Sequence, residues 1–160
     1  LSVFSNPRPY MPEPAKVATY LKSALKEIGL DCTIQMRDWA EHLSAVQNGK
    51  HQMCLLGWNG DNGDPDNFLY VLLDRENAAP PASNNSFYKS EAAHDLLAAA
   101  QLESDGAKRT DLYKKVQEQI HADCPMVPLV HANQIMAADK RLKNFRLHPV
   151  EIRLAKVELE

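Results

Sequence analysis

Three carboxylates, three glycines and a tryptophan are concentrated in the eleven residues from Gly57 to Asn67. This stretch follows the apolar run 53–56 directly, which predicts a buried strand that ends in a tight acidic loop. Glycines permit the backbone conformations of tight loops, and loops at strand ends often carry functional groups on a rigid scaffold. The carboxylates of Asp61, Asp64 and Asp66 could hold a cation, transfer a proton or pair with the amino group of a ligand.

Metal binding is the first of these alternatives. Asn62, Asp64 and Asp66 have the 1-3-5 spacing of an EF-hand loop, but Asn67 stands where that loop needs Gly and Leu73 where it needs Glu. The three cysteines show no C-x-x-C spacing, and the six histidines form no H-x-x-x-H pair. The sequence therefore predicts no metal site and no cofactor, with each histidine at the surface or partly buried.

Acid–base catalysis is the second alternative, because two carboxylates can act together as acid and base in a hydrolase. The pair Asp64-Pro65 also reads as the start of a helix, with Asp64 as the N-cap and Pro65 at the first helical position. Asp66 in the first turn would favour the helix dipole. Asp61 has no structural role on this interpretation, although a solvated turn residue remains an alternative. The chain also has no G-x-S-x-G nucleophile motif.

Arg8 lies between two prolines, Pro7 and Pro9, which fix the backbone on either side of it. A guanidinium held in this way is suited to bidentate capture of a carboxylate, and a solvent-exposed arginine is the alternative. Tyr10 and Trp39 could supply flat apolar walls to the same site, or could pack in the core.

The order of predicted elements in the first half is β-α-β-α-β, which implies a small parallel sheet with right-handed crossovers. The predicted elements are a strand over 1–5, a helix ending near Ile28, a strand over Cys32–Met36, a helix capped by Asp38 and running to Val46, and a strand over Gln52–Leu56. Ligands of open parallel sheets gather at the carboxyl ends of the strands. Arg8 and the acidic loop both follow strand ends, so they are expected to face one crevice with opposite charges.

The second half predicts helices and then strands. The predicted helices cover Asp66–Leu73, about 90–103 and about 107–123, with a polar surface loop over 76–90. The candidate strands that follow are Met126–His131, Gln134–Ala138, Leu142–Leu147 and Arg153–Leu159.

Length and composition restrict the class of protein. The 160 residues suit one compact domain or lobe, and a net charge of −3 gives no basic face for nucleic acid. No apolar run reaches the roughly 18 residues of a membrane span.

The first residues of the chain already have the pattern of a strand, and no initiator Met or signal peptide precedes them. We therefore expect the chain to be a fragment of a longer protein. Cys32 and Cys54 lie in predicted strands and are expected to be buried free thiols.

Several of these motifs together resemble the dipeptide-binding proteins, which belong to the extracellular solute-binding protein family of peptide and nickel ABC transporters. The resemblance extends over essentially the whole chain and is most specific in the acidic loop. Its motifs are Asn6-Pro7-Arg8-Pro9-Tyr10-Met11-Pro12, Asp38-Trp39, the stretch from Gly57 to Phe68, and Pro125-Met126-Val127-Pro128-Leu129.

The resemblance implies an α/β fold, a lobe like that of type II periplasmic binding proteins, with a small and mostly parallel sheet flanked by helices. Residues 1–160 would be the C-terminal ligand-binding lobe region of a longer, two-lobed protein. By this resemblance, Asp61 pairs with the α-ammonium of a peptide and Arg8 with its α-carboxylate, while Tyr10 and Trp39 line the side-chain pocket.

The function implied is capture of dipeptides or short peptides for an ABC importer, without catalysis. The expected partners are a small peptide and the membrane permease, and the protein would be a bacterial periplasmic or cell-surface lipoprotein and a monomer. Two alternatives stay open: a family member that binds haem, glutathione or a nickel chelate, and a hydrolase that uses Asp61, Asp64 and Asp66.

Overall fold

The computed structural model describes residues 1–131, 133, 135–147 and 153–159. Within these ranges the chain forms an α/β fold with five α-helices, one 3-10 helix and two small sheets. The elements are β1 (Ser2–Phe4), α1 (Pro14–Glu27), β2 (Gln35–Arg37), α2 (Trp39–Gln47), α3 (Asp66–Leu73), the 3-10 helix (Arg75–Ala78), α4 (Glu91–Leu102), α5 (Gly106–Asp123), β3 (Leu142–Lys143) and β4 (Glu158–Leu159). No helix of the described ranges has the length and apolar character needed to cross a bilayer.

The predicted parallel sheet is confirmed, with β1 at its centre. On one side β1 pairs with β2 in parallel, with Ser2 opposite Gln35. On the other side Ser2 N donates to Met53 O at 2.8 Å, and Leu55 N donates to Ser2 O at 3.0 Å. The third predicted strand is reduced to this single parallel bridge. All three segments nevertheless run in one direction, so their carboxyl ends share one edge.

The helix predictions are confirmed because their end signals act locally. Asp38 Oδ1 accepts the backbone N–H of Glu41 at 2.9 Å and so caps α2. Gly29 follows α1 with φ +84°, a conformation that glycine adopts without strain. In the second half, α4 packs on α5 around the buried side chains of Leu97, Ala100, Tyr113 and Val116.

The prediction that every histidine is exposed or partly buried is wrong for His42, which is completely buried. His42 Nε2 lies 3.0 Å from the carbonyl oxygen of Leu55, which can only accept, so Nε2 carries the proton. Nδ1 then accepts the hydroxyl of Ser2 at 3.1 Å, and the Ser2 hydroxyl accepts Arg37 Nη1 at 2.7 Å. Sequence spacing missed His42 because its partners lie in other segments of the fold. Of the two cysteines predicted to lie in strands, Cys32 precedes β2 and is buried, and Cys54 forms the bridge to Ser2 and is half-buried; both are free thiols.

The strand prediction for Met126–His131 is wrong, because these residues form no strand. Of the candidate Gln134–Ala138, Gln134 lies outside the described residues and 135–138 form no strand. Strands do form within the last two candidates, where Leu142 pairs antiparallel with Leu159. An apolar alternating segment becomes a strand only when a neighbour accepts its backbone hydrogen bonds. The exposed Val127 and Ile135 lie on segments that do not enter either sheet.

Candidate functional site

Three segments that follow the parallel strands meet at the carboxyl edge of the sheet. The segment after β1 carries Arg8 and Tyr10, and Trp39 begins α2 directly after β2. The acidic loop follows Leu55, the last residue paired with β1 on the other side. The sheet topology therefore accounts for how Arg8, Tyr10 and Trp39 come together around Phe4. Asp61 lies four residues beyond Gly57, where the acidic loop meets the Tyr10 ring.

Arg8 is held by a small backbone hairpin and by an aromatic ring. Its backbone exchanges two hydrogen bonds with Met11, at 3.1 and 2.9 Å. Its guanidinium carbon lies 3.6 Å from the centroid of the Trp39 ring, which is a close cation–π contact. Arg8 Nε is buried and has no hydrogen-bond partner among the described residues. Arg8 is thus a half-buried, oriented cation and not a solvent-exposed arginine.

Tyr10 and Trp39 are both half-buried and both pack on the buried ring of Phe4. Their ring centroids lie 6.2 Å and 5.5 Å from that of Phe4, in edge-to-face arrangements. The Tyr10 ring also lies directly over Gly57, the first residue of the acidic loop. Burial raises the pKa of Tyr10, so its hydroxyl stays neutral. These contacts show core packing for both rings, and their role in lining a ligand pocket stays a prediction.

Asp64 of the acidic loop is engaged in a structural ion pair. Arg109 of α5 donates to both of its carboxylate oxygens, at 2.8 and 2.9 Å. The same guanidinium donates to Ala100 O at 2.9 Å and to the hydroxyl of Tyr113 at 2.7 Å. Hydrogen bonds from Arg109 lower the pKa of Asp64, which keeps this carboxyl ionised. The helix α3 spans Asp66–Leu73 as predicted, but Pro65 and not Asp64 stands at its N-cap position. Asp64 Oδ1 accepts the Asp66 backbone N–H at 2.9 Å.

The partners of Asp64 and Asp66 weigh against both a calcium site and a catalytic pair. Asp66 Oδ1 accepts the amide of Gln101 at 2.8 Å. A calcium ion in this loop would have to displace Arg109 from Asp64. A general acid needs a raised pKa, whereas that of Asp64 is lowered.

Asp61 differs from Asp64, because in the described part of the chain it forms no ion pair. It is exposed, and its Oδ2 accepts the Asn67 amide at 3.2 Å. Asn67 Oδ1 in turn accepts the backbone N–H of Asp61 at 2.9 Å and the indole N–H of Trp58 at 3.0 Å. Asp61 is therefore an oriented carboxylate whose charge is not neutralised by any residue that the structure describes.

Sequence reasoning missed two residues that shape this site, Asn67 and Arg109. Asn67 stood in a polar run where nothing distinguished it from its neighbours. Arg109 did carry a signal, since it lies four residues before Tyr113 and seven before Val116, on the apolar face of α5. A charged residue on an apolar helix face needs a partner, and here that partner is Asp64.

Comparison with known proteins places these features in a family. Residues 2–80 match the model described as bacterial extracellular solute-binding proteins, family 5 Middle. The chain is 32% identical over 143 residues to the dipeptide-binding protein of Escherichia coli K12, an alignment that covers 89% of this chain and 26% of that protein.

Two solved structures share the fold. One is the ABC transporter-associated periplasmic binding protein DppA from Helicobacter pylori in complex with the peptide STSA, with a TM-score of 0.80 and 37% identity, covering 99% of this chain and 30% of that one. The other is a dipeptide binding protein from Pseudoalteromonas sp. SM9913 in complex with Met-Leu, with a TM-score of 0.84 and 27% identity, covering 99% and 31%. The chain spans about a quarter of the length of the curated relatives it matches.

Proposed function

This chain belongs to family 5 of the bacterial extracellular solute-binding proteins, and from that premise we propose that it captures dipeptides or short peptides by their charged termini for an ABC importer. The observation that carries the proposal is a pair of opposite charges on two segments that follow parallel strands of one sheet, neither of which is neutralised by a residue that the structure describes. Arg8 Nε is buried without a partner, and Asp61 forms no ion pair in the described part of the chain.

Two fixed charges select a zwitterionic ligand by its length. Asp61 would accept the ligand's α-ammonium, and Arg8 would donate to its α-carboxylate. Tyr10 and Trp39 would line the space for side chains, where apolar contact tolerates different residues. Exclusion of water around the bound peptide would strengthen both ion pairs, because their interaction energy rises as the local dielectric constant falls.

The wider setting of the chain is part of the proposal. Residues 1–160 are proposed to be the C-terminal ligand-binding lobe region of a two-lobed protein, which closes over the peptide. The whole protein would act as a monomer in the periplasm, or as a lipoprotein at the cell surface. It would deliver its ligand to the permease of the transporter and would perform no chemistry on it.

The test replaces each charge in the full-length protein. Truncating one partner of a buried charge pair typically costs about 2–5 kcal/mol, much of it because the other charge is left unpaired. At about 1.4 kcal/mol per decade, Asp61→Ala and Arg8→Ala should each weaken Ala-Ala binding by roughly thirty-fold to a few thousand-fold. Isothermal titration calorimetry measures these affinities. Asp95→Ala, which removes an exposed carboxylate on α4, serves as the matched control and should change binding little.

Blocked ligands separate recognition from folding. Asp61→Ala should hardly alter the already weak binding of N-acetyl-Ala-Ala, and Arg8→Ala should spare the C-amidated dipeptide. Equal losses for blocked and free ligands in both variants would mean that these residues support the fold instead of the peptide. Saturable binding of haem, glutathione or a nickel chelate, with none of a peptide, would transfer the proposal to another solute.

A further inference from the structure

The side-chain amide of Asn67 joins two functional groups of the acidic loop. Its Oδ1 lies 2.9 Å from the backbone nitrogen of Asp61 and 3.0 Å from the indole nitrogen of Trp58. Both of those groups can only donate, so the atom that they share must be the amide oxygen. The orientation of the amide is thereby determined, and Nδ2 faces Asp61 Oδ2 at 3.2 Å.

A neutral donor orients a carboxylate without cancelling its charge. Asp64 shows the contrasting case, since the bidentate guanidinium of Arg109 both orients and neutralises it. Asn67 Nδ2 uses one lone pair of Asp61 Oδ2 and leaves the negative charge available to a cation. Two carboxylates three residues apart thus have different roles because their partners differ in charge.

Asn67 can fix a position because its own backbone belongs to a well-anchored helix. It lies in the first turn of α3, where its backbone N–H donates to Asp64 O at 3.2 Å. Two side-chain contacts attach this end of α3 to the α4–α5 pair: Arg109 binds Asp64, and Gln101 binds Asp66. The side-chain amide of Asn67 therefore connects the N-terminal end of α3, which these two contacts hold in place, to the exposed loop that carries Asp61.

We infer that Asn67 is the positioning residue for Asp61 and sets the direction of the carboxylate that meets the ligand's ammonium. The inference rests on the proposed function, because it assigns Asp61 that role. Asn67 acts through Asp61 and does not itself touch the peptide. Its removal should weaken the binding of ligands with a free ammonium and should spare ligands that lack one.

The experiment measures Asn67→Leu in the full-length protein by calorimetry with Ala-Ala and N-acetyl-Ala-Ala. Leucine has the same number and branching of side-chain heavy atoms as asparagine, and it removes all three hydrogen bonds. We expect about a tenfold loss for Ala-Ala, which corresponds to about 1.4 kcal/mol, and less than about a twofold change for the acetylated ligand. Asn59→Leu is the matched control in the same loop, and it should change neither affinity by more than about twofold. Asn67→Ala is the second variant if leucine does not fit.

A double-mutant cycle with Asp61→Ala tests whether Asn67 acts through Asp61. Once Asp61 is truncated, Asn67→Leu should change Ala-Ala binding by less than about twofold. Additive losses, or equal losses for the two ligands, would overturn the inference. If Asp61→Ala weakens binding while Asn67→Leu behaves like Asn59→Leu, the inference alone is wrong. If Asp61→Ala leaves binding unchanged, the proposed function fails and the inference fails with it.

Discussion

Gly57, the first residue of the acidic loop, lies against the ring of Tyr10, and Gly57→Ala tests that contact. A Cβ built on Gly57 would lie 2.3 Å from Tyr10 Cδ2 and 2.5 Å from Cε2. Ordinary carbon contacts are roughly 3.5–4.0 Å, so the ring would have to move by more than about 1 Å. The ring packs against the buried Phe4 on its inner side, which limits that movement.

The expected loss of folding stability in Gly57→Ala follows from this geometry. Overpacking of a well-packed core typically costs about 1–3 kcal/mol. In a domain of this size each kcal/mol shifts the melting temperature by about 2–4 °C, so Gly57→Ala should lower it by roughly 2–12 °C. Gly63→Ala is the matched control, because no atom of the described residues lies within 4 Å of its added Cβ. That control should stay within about 0.5 kcal/mol of the parent.

Urea denaturation gives the free energy of unfolding of four proteins and so identifies why Gly57→Ala is destabilising. The four proteins are the parent, Gly57→Ala, Tyr10→Ala and the double variant. Without the Tyr10 ring the new methyl group has space, so Gly57→Ala should cost less than about 0.5 kcal/mol in the Tyr10→Ala background. An equal cost in both backgrounds would refute the contact between the loop and the ring as its origin.

Three further predictions concern ionisable groups. Burial lowers the pKa of His42, so the unfolded chain takes up a proton first, near its ordinary value of about 6.5. The free energy of folding that neutral, buried His42 contributes is fully present above that pH, and it is lost as the pH falls toward the lowered pKa of the folded state. Urea midpoints at pH 7 and 5.5 should therefore differ more for the parent than for His42→Gln. Hydrogen bonds from Arg109 lower the pKa of Asp64, and Arg109→Met should raise it toward the ordinary value in a carboxyl NMR titration; no change would contradict the ion pair. Burial raises the pKa of Cys54 to about 11, so iodoacetamide at pH 8 should label the exposed Cys124 first, as mass spectrometry would show.

Local sequence signals were sufficient for most elements of the first 123 residues. The cap formed by Asp38, the glycine after α1 and the apolar spacing of α5 act within a few residues, so they can be recognised without the tertiary fold. The alternation of strands and helices also implied the parallel sheet and its carboxyl edge. Strand prediction failed for Met126–His131, because a strand depends on a neighbour that local periodicity does not reveal.

In the candidate site, too, some features could be predicted from the sequence and others depended on the tertiary structure. The sequence by itself selected Arg8, through its flanking prolines, and Asp61, as the one carboxylate without a structural role. Only the tertiary structure decided that Arg8 stacks on Trp39, and that Asp64 pairs with Arg109, which lies 45 positions away. Asn67 was likewise recognised only from its three hydrogen bonds. A residue's type and neighbours determine what chemistry it can perform, whereas the charge and direction of its partners depend on which distant segments the fold brings into contact.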